Sequence, residues 1–191
     1  NIKSKKVQGL IDKYEIMRML THKNIHKVYD IFIDYPKFGP SILFEYCPTN
    51  LEDSIKNKKL SKVQQVFNIY QIAEGMKYIH SCKIVHQNLN PSNILISENG
   101  TIKISGFEKC EHMKTIDDIT KLELREMEDV YSFGEIVYFI LTEGEYSKHN
   151  KEIVLKSFSM LSRQLIEACW SPEPECRPTF EIICDVLNKN N

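Results

Sequence analysis

The segment from Asp129 to Thr142 is apolar nearly all round, and it constrains the fold more than any other stretch of the chain. A helix without a polar face belongs at the centre of a domain, with other elements wrapped around it. Its longest apolar run, Ile136 to Leu141, is far shorter than the roughly 20 residues of a membrane span. Elements able to cover it are readable on its N-terminal side. Leu10, Tyr14, Met17 and Leu20 follow three- and four-residue spacing, so Val7 to Leu20 is expected to form an amphipathic helix. Two β-rich stretches follow, Ile25 to Ile33 and Ser41 to Tyr46, separated by Pro36, Gly39 and Pro40 as in a hairpin-like connection. Ser61 opens a long helix with Val63, Val66, Phe67, Tyr70, Ala73, Met76 and Ile79 on or beside one face. Strands at Asn93 to Ser97 and Thr101 to Ile104 flank Glu98-Asn99-Gly100, and Asn-Gly between β-rich runs is the strongest short hairpin signal. The remainder is mostly helical and ends at Thr179 to Leu187.

At 191 residues the chain is long enough for one hydrophobic core and short for two. A net charge of -1 gives no global pull toward nucleic acid or anionic lipid, so neither is expected as a partner. The lysines at Lys3, Lys5 and Lys6, and at Lys56, Lys58 and Lys59, read as solvated faces. Cys47, Cys82, Cys110, Cys169, Cys176 and Cys184 are scattered, with no Cys-x-x-Cys pair and no zinc-finger spacing. They read as reduced thiols of a cytosolic or nuclear protein. No secretory leader is visible, and the first residue is Asn rather than Met, so the sequence reads as a fragment or a trimmed chain.

Between the long helix and the hairpin lies His86-Gln87-Asn88-Leu89-Asn90-Pro91-Ser92-Asn93. In that setting it resembles the protein-kinase catalytic loop, His-Arg-Asp-Leu-Lys-Pro-x-Asn. His86, Leu89, Pro91 and Asn93 match. Asn88 stands where kinases place the Asp that accepts the substrate proton, and an amide is no base near neutral pH. Gln87 replaces the Arg and Asn90 the phosphate-facing Lys. Further on, Gly106-Phe107-Glu108 occupies the place of Asp-Phe-Gly, so Gly106 stands for the Mg²⁺-binding Asp. Phe44-Glu45-Tyr46-Cys47 resembles the gatekeeper and hinge. Asp129 to Gly134 resembles the start of the buried kinase helix, and Cys169 to Phe180 the end of the C-lobe.

The resemblance implies an α+β, protein-kinase-like fold, with a mostly helical C-lobe and a truncated N-lobe of the αC helix plus about two strands. Residues 1–191 would be one domain, 1–46 N-lobe and 47–191 C-lobe. Nothing before the first helix resembles a Gly-rich loop or a Val-Ala-Ile-Lys strand, and Lys13 falls where αC carries its Glu. The segment from Glu108 to Asp129 is short for an activation loop, and Thr115 and Thr120 are its hydroxyl residues, read as unphosphorylated. With no Ala-Pro-Glu present, Arg177 is expected to pair with Glu123 or Glu126. Asp117 and Asp118 are the one acidic pair nearby.

Gly106-Phe107-Glu108, the run from Asp34 to Cys47, and Tyr131-Ser132-Phe133-Gly134 are similar to the mixed lineage kinase domain-like pseudokinases. The chain resembles the poxvirus-encoded homologues of that family most. The resemblance implies a protein that is not an enzyme, with no ATP, cofactor or metal expected. Its implied role is to bind and sequester host receptor-interacting protein kinase 3 in the host cytoplasm, blocking necroptosis. The alternative is a scaffold or allosteric regulator of a different kinase or ligase. Lys13 and Phe107 are the candidate partner contacts, Lys13 otherwise being a solvated helix residue and Phe107 a filler beneath αC.

Overall fold

The computed structural model describes residues 2–33, 39–57, 60–112, 119–144 and 154–189. The first element, α1, covers Ile2–Met19. Strand β1 (Val28–Phe32) pairs antiparallel with β2 (Ser41–Phe44), Ile31 opposite Ile42, with an irregularity between Val28 and Asp30. Two residues, Thr49–Asn50, form β3, and Asn50 then starts α2 (Leu51–Asn57) by accepting the Asp53 amide at 2.8 Å. This short helix was not expected; its single apolar side, Leu51 and Ile55, is too brief for periodicity to announce.

Helix α3 (Lys62–Ser81) begins at Ser61 through a capping box. The Ser61 hydroxyl accepts the Gln64 amide and the Gln64 side-chain oxygen accepts the Ser61 amide, satisfying two otherwise orphaned donors. After it come β4 (Ile84–Val85), β5 (Ile94–Ile96), β6 (Ile102–Ile104) and β7 (Glu111–His112). β3, β5 and β6 form one sheet in that order, and β4 pairs with β7. The β5–β6 turn is the Asn99-Gly100 hairpin, Gly100 holding φ of 81° where a side chain is disfavoured.

The apolar segment lies in α4 (Ile119–Leu141), with Val130, Phe133, Ile136, Val137, Tyr138 and Ile140 each at most 1% exposed. The helix starts well before Asp129. The Leu, Glu, Arg and Met of this N-terminal part are strong helix formers, so residues expected to be the end of a loop continue the helix instead. α5 (Met160–Cys169) packs on α4, and α6 (Phe180–Lys189) lies along α3. Phe180 meets Phe133 of α4 and His80 of α3 edge-on, with ring centres 5.3 and 5.1 Å apart. A single apolar cluster runs from Met17 to Leu187.

The turn after α1 is bound to β6. Ile104 donates to the Asn24 carbonyl at 2.8 Å and His26 donates to the Ile104 carbonyl at 2.9 Å. The Asn24 amide, fully buried, donates to Gln71 of α3 and to the Ile102 carbonyl. Gly75 of α3 permits this approach, since a Cβ there would lie 2.6 Å from Ile104 and 3.2 Å from Asn24. All six cysteines are free thiols; burial pushes Cys110 up to about 11, and Cys169 and Cys184 up to about 12. Thr115, Asp117 and Asp118 lie outside the described residues, as do Pro36 and the side chain of Thr120.

Candidate functional site

The loop after β4 is held in place from below by α4. Asp129 is 1% exposed, and its carboxylate accepts the His86 amide and the Gln87 amide, each at 2.8 Å. His80 of α3 adds a third contact at 3.0 Å. Gln87 sits at φ of 56°, a left-handed conformation costing a non-glycine residue on the order of 1 kcal/mol. The carboxylate below it offsets that strain by fixing two consecutive amides. The string Asp129 to Gly134 marks this residue in the sequence, but the contact with the loop shows only in the assembled fold.

His86 is fully buried and its Nε2 is 2.8 Å from the Ser105 carbonyl. Its ring packs against Phe107 with centres 4.9 Å apart, and burial lowers its pKa from the ordinary 6.5. Asn88 donates to the Gly106 carbonyl at 3.2 Å and approaches Glu108 at 3.4 Å. Asn90 caps the 91–93 turn, its oxygen accepting the Ser92 and Asn93 amides, while its nitrogen donates to the Asn88 carbonyl at 2.9 Å. Asn93 donates to the same carbonyl at 2.8 Å. Ser105 closes the set, its amide and hydroxyl both bonding to the Asn93 carbonyl. Amides therefore fill the loop: Asn90 and Asn93 donate to its own Asn88 carbonyl, and Asn88 donates to the Gly106 carbonyl.

Gly106 takes φ of 84° and ψ of 36°. A Cβ there would fall 2.3 to 2.8 Å from the side-chain atoms of Asn93, so backbone conformation and space both select glycine. Phe107 is 4% exposed, packed with His86 and against α1. Lys13 reaches from α1 to the Cys110 carbonyl at 2.5 Å. Phe107 and Lys13, the two candidate partner contacts, are both engaged within the chain. Phe107 is core because the ring fills the gap under α1. Lys13 is not a freely solvated residue either, because its ammonium bonds the segment after Gly106.

Above the loop opens a cleft of about 720 Å³ between α1, β2 and the Asn93–Glu108 region. Phe44 borders it, stacked on His26 with ring centres 4.8 Å apart. Among the described residues, Lys13 is the one lysine or arginine lining the cleft, and it already holds a carbonyl. Its lining residues with side-chain oxygens in this region are Asn93, Ser105 and Glu108, and the Ser105 hydroxyl already bonds the Asn93 carbonyl. A magnesium–triphosphate group draws on more oxygen ligands and on free cations, so the residues as arranged do not fit one.

Arg177 departs from expectation. It donates to the carbonyls of Ser171 at 3.0 Å and Met127 at 2.9 Å, and its guanidinium lies 5.1 Å from the centre of the Tyr131 ring. Neither Glu123 nor Glu126 receives it, because Arg carries enough donors to be satisfied by backbone carbonyls. Glu126 is instead pushed up by burial. Among the described residues there is no cluster of three or more metal-ligating side chains, and no helix long and apolar enough to cross a membrane.

The sequence pattern of the protein kinase domain family matches residues 1–126. The chain is 27% identical to the serine/threonine-protein kinase plk-2 of Caenorhabditis elegans, over 96% of this chain and 33% of the relative. It is 32% identical to a probable serine/threonine-protein kinase of Schizosaccharomyces pombe, over 74% of this chain and 19% of that one. It is 33% identical to integrin-linked protein kinase 1 of Arabidopsis thaliana, over 78% of this chain and 40% of that protein. The chain thus spans less than half the length of each. These relatives correct the expectation that the chain is not an enzyme. They are named kinases.

Proposed function

The chain belongs to the protein kinase domain family, and on that footing we propose that it works by binding another protein kinase. The partner in this reading is host receptor-interacting protein kinase 3, held away from its substrate in the host cytoplasm so that necroptosis is blocked. Residues 1–46 serve as the N-lobe side of the domain and 47–191 as the C-lobe. The observation that carries the reading is the fixed position of α1. Phe107 packs beneath it and Lys13 bonds Cys110, so the helix and the C-lobe meet in one preset arrangement. A surface ordered before contact loses less conformational freedom on binding. The Gly106-Phe107-Glu108 string supports the choice of partner.

The test is retention of receptor-interacting protein kinase 3 from cells by the immobilised domain, with ATP and without it. The reading expects equal retention in both, because the surface is set by contacts within the chain. Failure to retain the kinase in either condition would overturn it, and leave a scaffold or allosteric regulator of a different kinase or ligase.

A further inference from the structure

Helix α1 has a second concavity on a neighbouring face. The cleft above uses Leu10, Lys13 and Met17 of the helix, whereas Tyr14 and Arg18 face a groove of about 780 Å³ that shares no lining residue with it. Its cations are Arg18, Lys23, Lys27 and Lys103, with no Asp or Glu among the described residues lining it. Two of the four have carboxylates outside the lining, Arg18 with Glu15 at 3.3 Å and Lys103 with Glu45 at 3.0 Å. Lys27 lies 5.1 Å from the centre of the Tyr29 ring, and neither it nor Lys23 pairs with a carboxylate among the described residues. Burial and then Lys23 push the His22 pKa down, Glu74 opposes them, and Lys103 adds a smaller push downward.

We propose that this groove binds a phosphorylated segment of a partner protein, laid in extended form between α1 and β1. Three features favour that occupant. The lining is half apolar, with Leu20, Ile25 and Val28 beside Tyr14 and Tyr29, which a free anion would not use but peptide side chains would. Strand β1 pairs with β2 alone among the described residues, leaving an edge to which an extended chain can add. The chain as a whole carries a net charge of -1, so the basic character is confined to a patch rather than spread along a track for nucleic acid. A phosphoryl group brings close to two negative charges and three acceptor oxygens to the guanidinium fork of Arg18 and the ammonium groups of Lys23 and Lys27. The site is separate from the kinase-binding reading and stands without it.

Fluorescence anisotropy tests it with a labelled pool of short peptides bearing a central phosphoserine, against the same pool with serine. The phosphorylated pool is expected to bind at least about tenfold more tightly. Lys23→Glu with Lys27→Glu should abolish that preference, and Arg18→Lys should weaken it several-fold by removing the fork while keeping the charge. Both lysines are exposed, and the urea midpoint of the double variant checks that it folds. Amide shifts at 18, 23 and 27 on adding the phosphorylated pool to the unaltered protein give the same answer without a variant. Equal binding of both pools, or a preference that survives the double reversal, would refute the proposal. So would tighter binding of oligothymidine, or binding of inorganic phosphate as tight as that of the peptide pool.

Discussion

Replacing Asp129 tests the claim that one buried carboxylate holds the loop containing His86 and Asn88. Asp129→Ala strands two backbone amides that bond the carboxylate at 2.8 Å, and it removes the His80 contact at 3.0 Å. Each charge-assisted bond lost at a buried site costs about 2 kcal/mol, and the total comes to about 4 kcal/mol, since His80 can turn to other partners. Against a domain stability of about 5–15 kcal/mol, such a loss is severe. Asp129→Asn keeps the shape and one acceptor oxygen but aims an amide nitrogen at one of the donors, so about half the loss is expected. With a urea slope of about 2 kcal/mol/M, the midpoints should fall by about 2 M for Ala and about 1 M for Asn at unchanged slope. A loss below about 1 kcal/mol for Ala would refute the reasoning, and so would equal losses for the two variants.

Three further outcomes follow from the geometry. Gly106→Ala should destabilise by about 1–3 kcal/mol, from its positive φ and the clash with Asn93. In the background of Asn93→Ala the same change should cost about 1 kcal/mol less, a coupling that urea titration of the four proteins measures. Burial lowers the pKa of His22, His26 and His86 from 6.5, so near and below that value the unfolded chain binds more protons than the folded one. The thermal midpoint should therefore fall as pH drops from 7.5 through 6.5 toward 5.5, and a flat profile would show that these rings protonate freely in the fold. Glu126, raised by burial, acts oppositely and at the acid end: its contribution is present below 4.5 and is lost as pH rises through its higher folded value. Ser61→Ala should cost about 1 kcal/mol by opening the capping box of α3, read as a small drop in urea midpoint; no drop would mean Gln64 suffices alone.

What could be read from the chain beforehand follows a physical division. The Asn99-Gly100 hairpin, the Ser61 start of α3 and the buried length of α4 all carry their signals locally, in turn chemistry, capping and periodicity. So does the loop string, where Gly106 was recognised by its place in a pattern. The two-residue strands β4 and β7 carry no such signal, because Ile84–Val85 and Glu111–His112 become strands only by meeting each other. Family likeness also misled along the chain's middle. Residues from Ile119 onward have the composition of a helix, yet the resemblance suggested an activation segment there. Arg177 shows the same limit for charges: the expected acceptor is Glu123 or Glu126, in the place of the missing Ala-Pro-Glu, yet two carbonyls and an aromatic face take it. The partners of Lys13 and Asp129 lie far along the chain, so their roles are properties of the assembled fold.

Helix α1 is a common wall, with the cleft against Lys13 and Met17 on one face and the basic groove against Tyr14 and Arg18 on the next. A rigid wall cannot move for one compartment alone. An occupant of the groove that tilts α1 alters the space beside Phe107, and one that enters the cleft alters the spacing of the cations behind. Thermodynamic reciprocity then requires the two affinities to change by the same factor, whichever molecule arrives first.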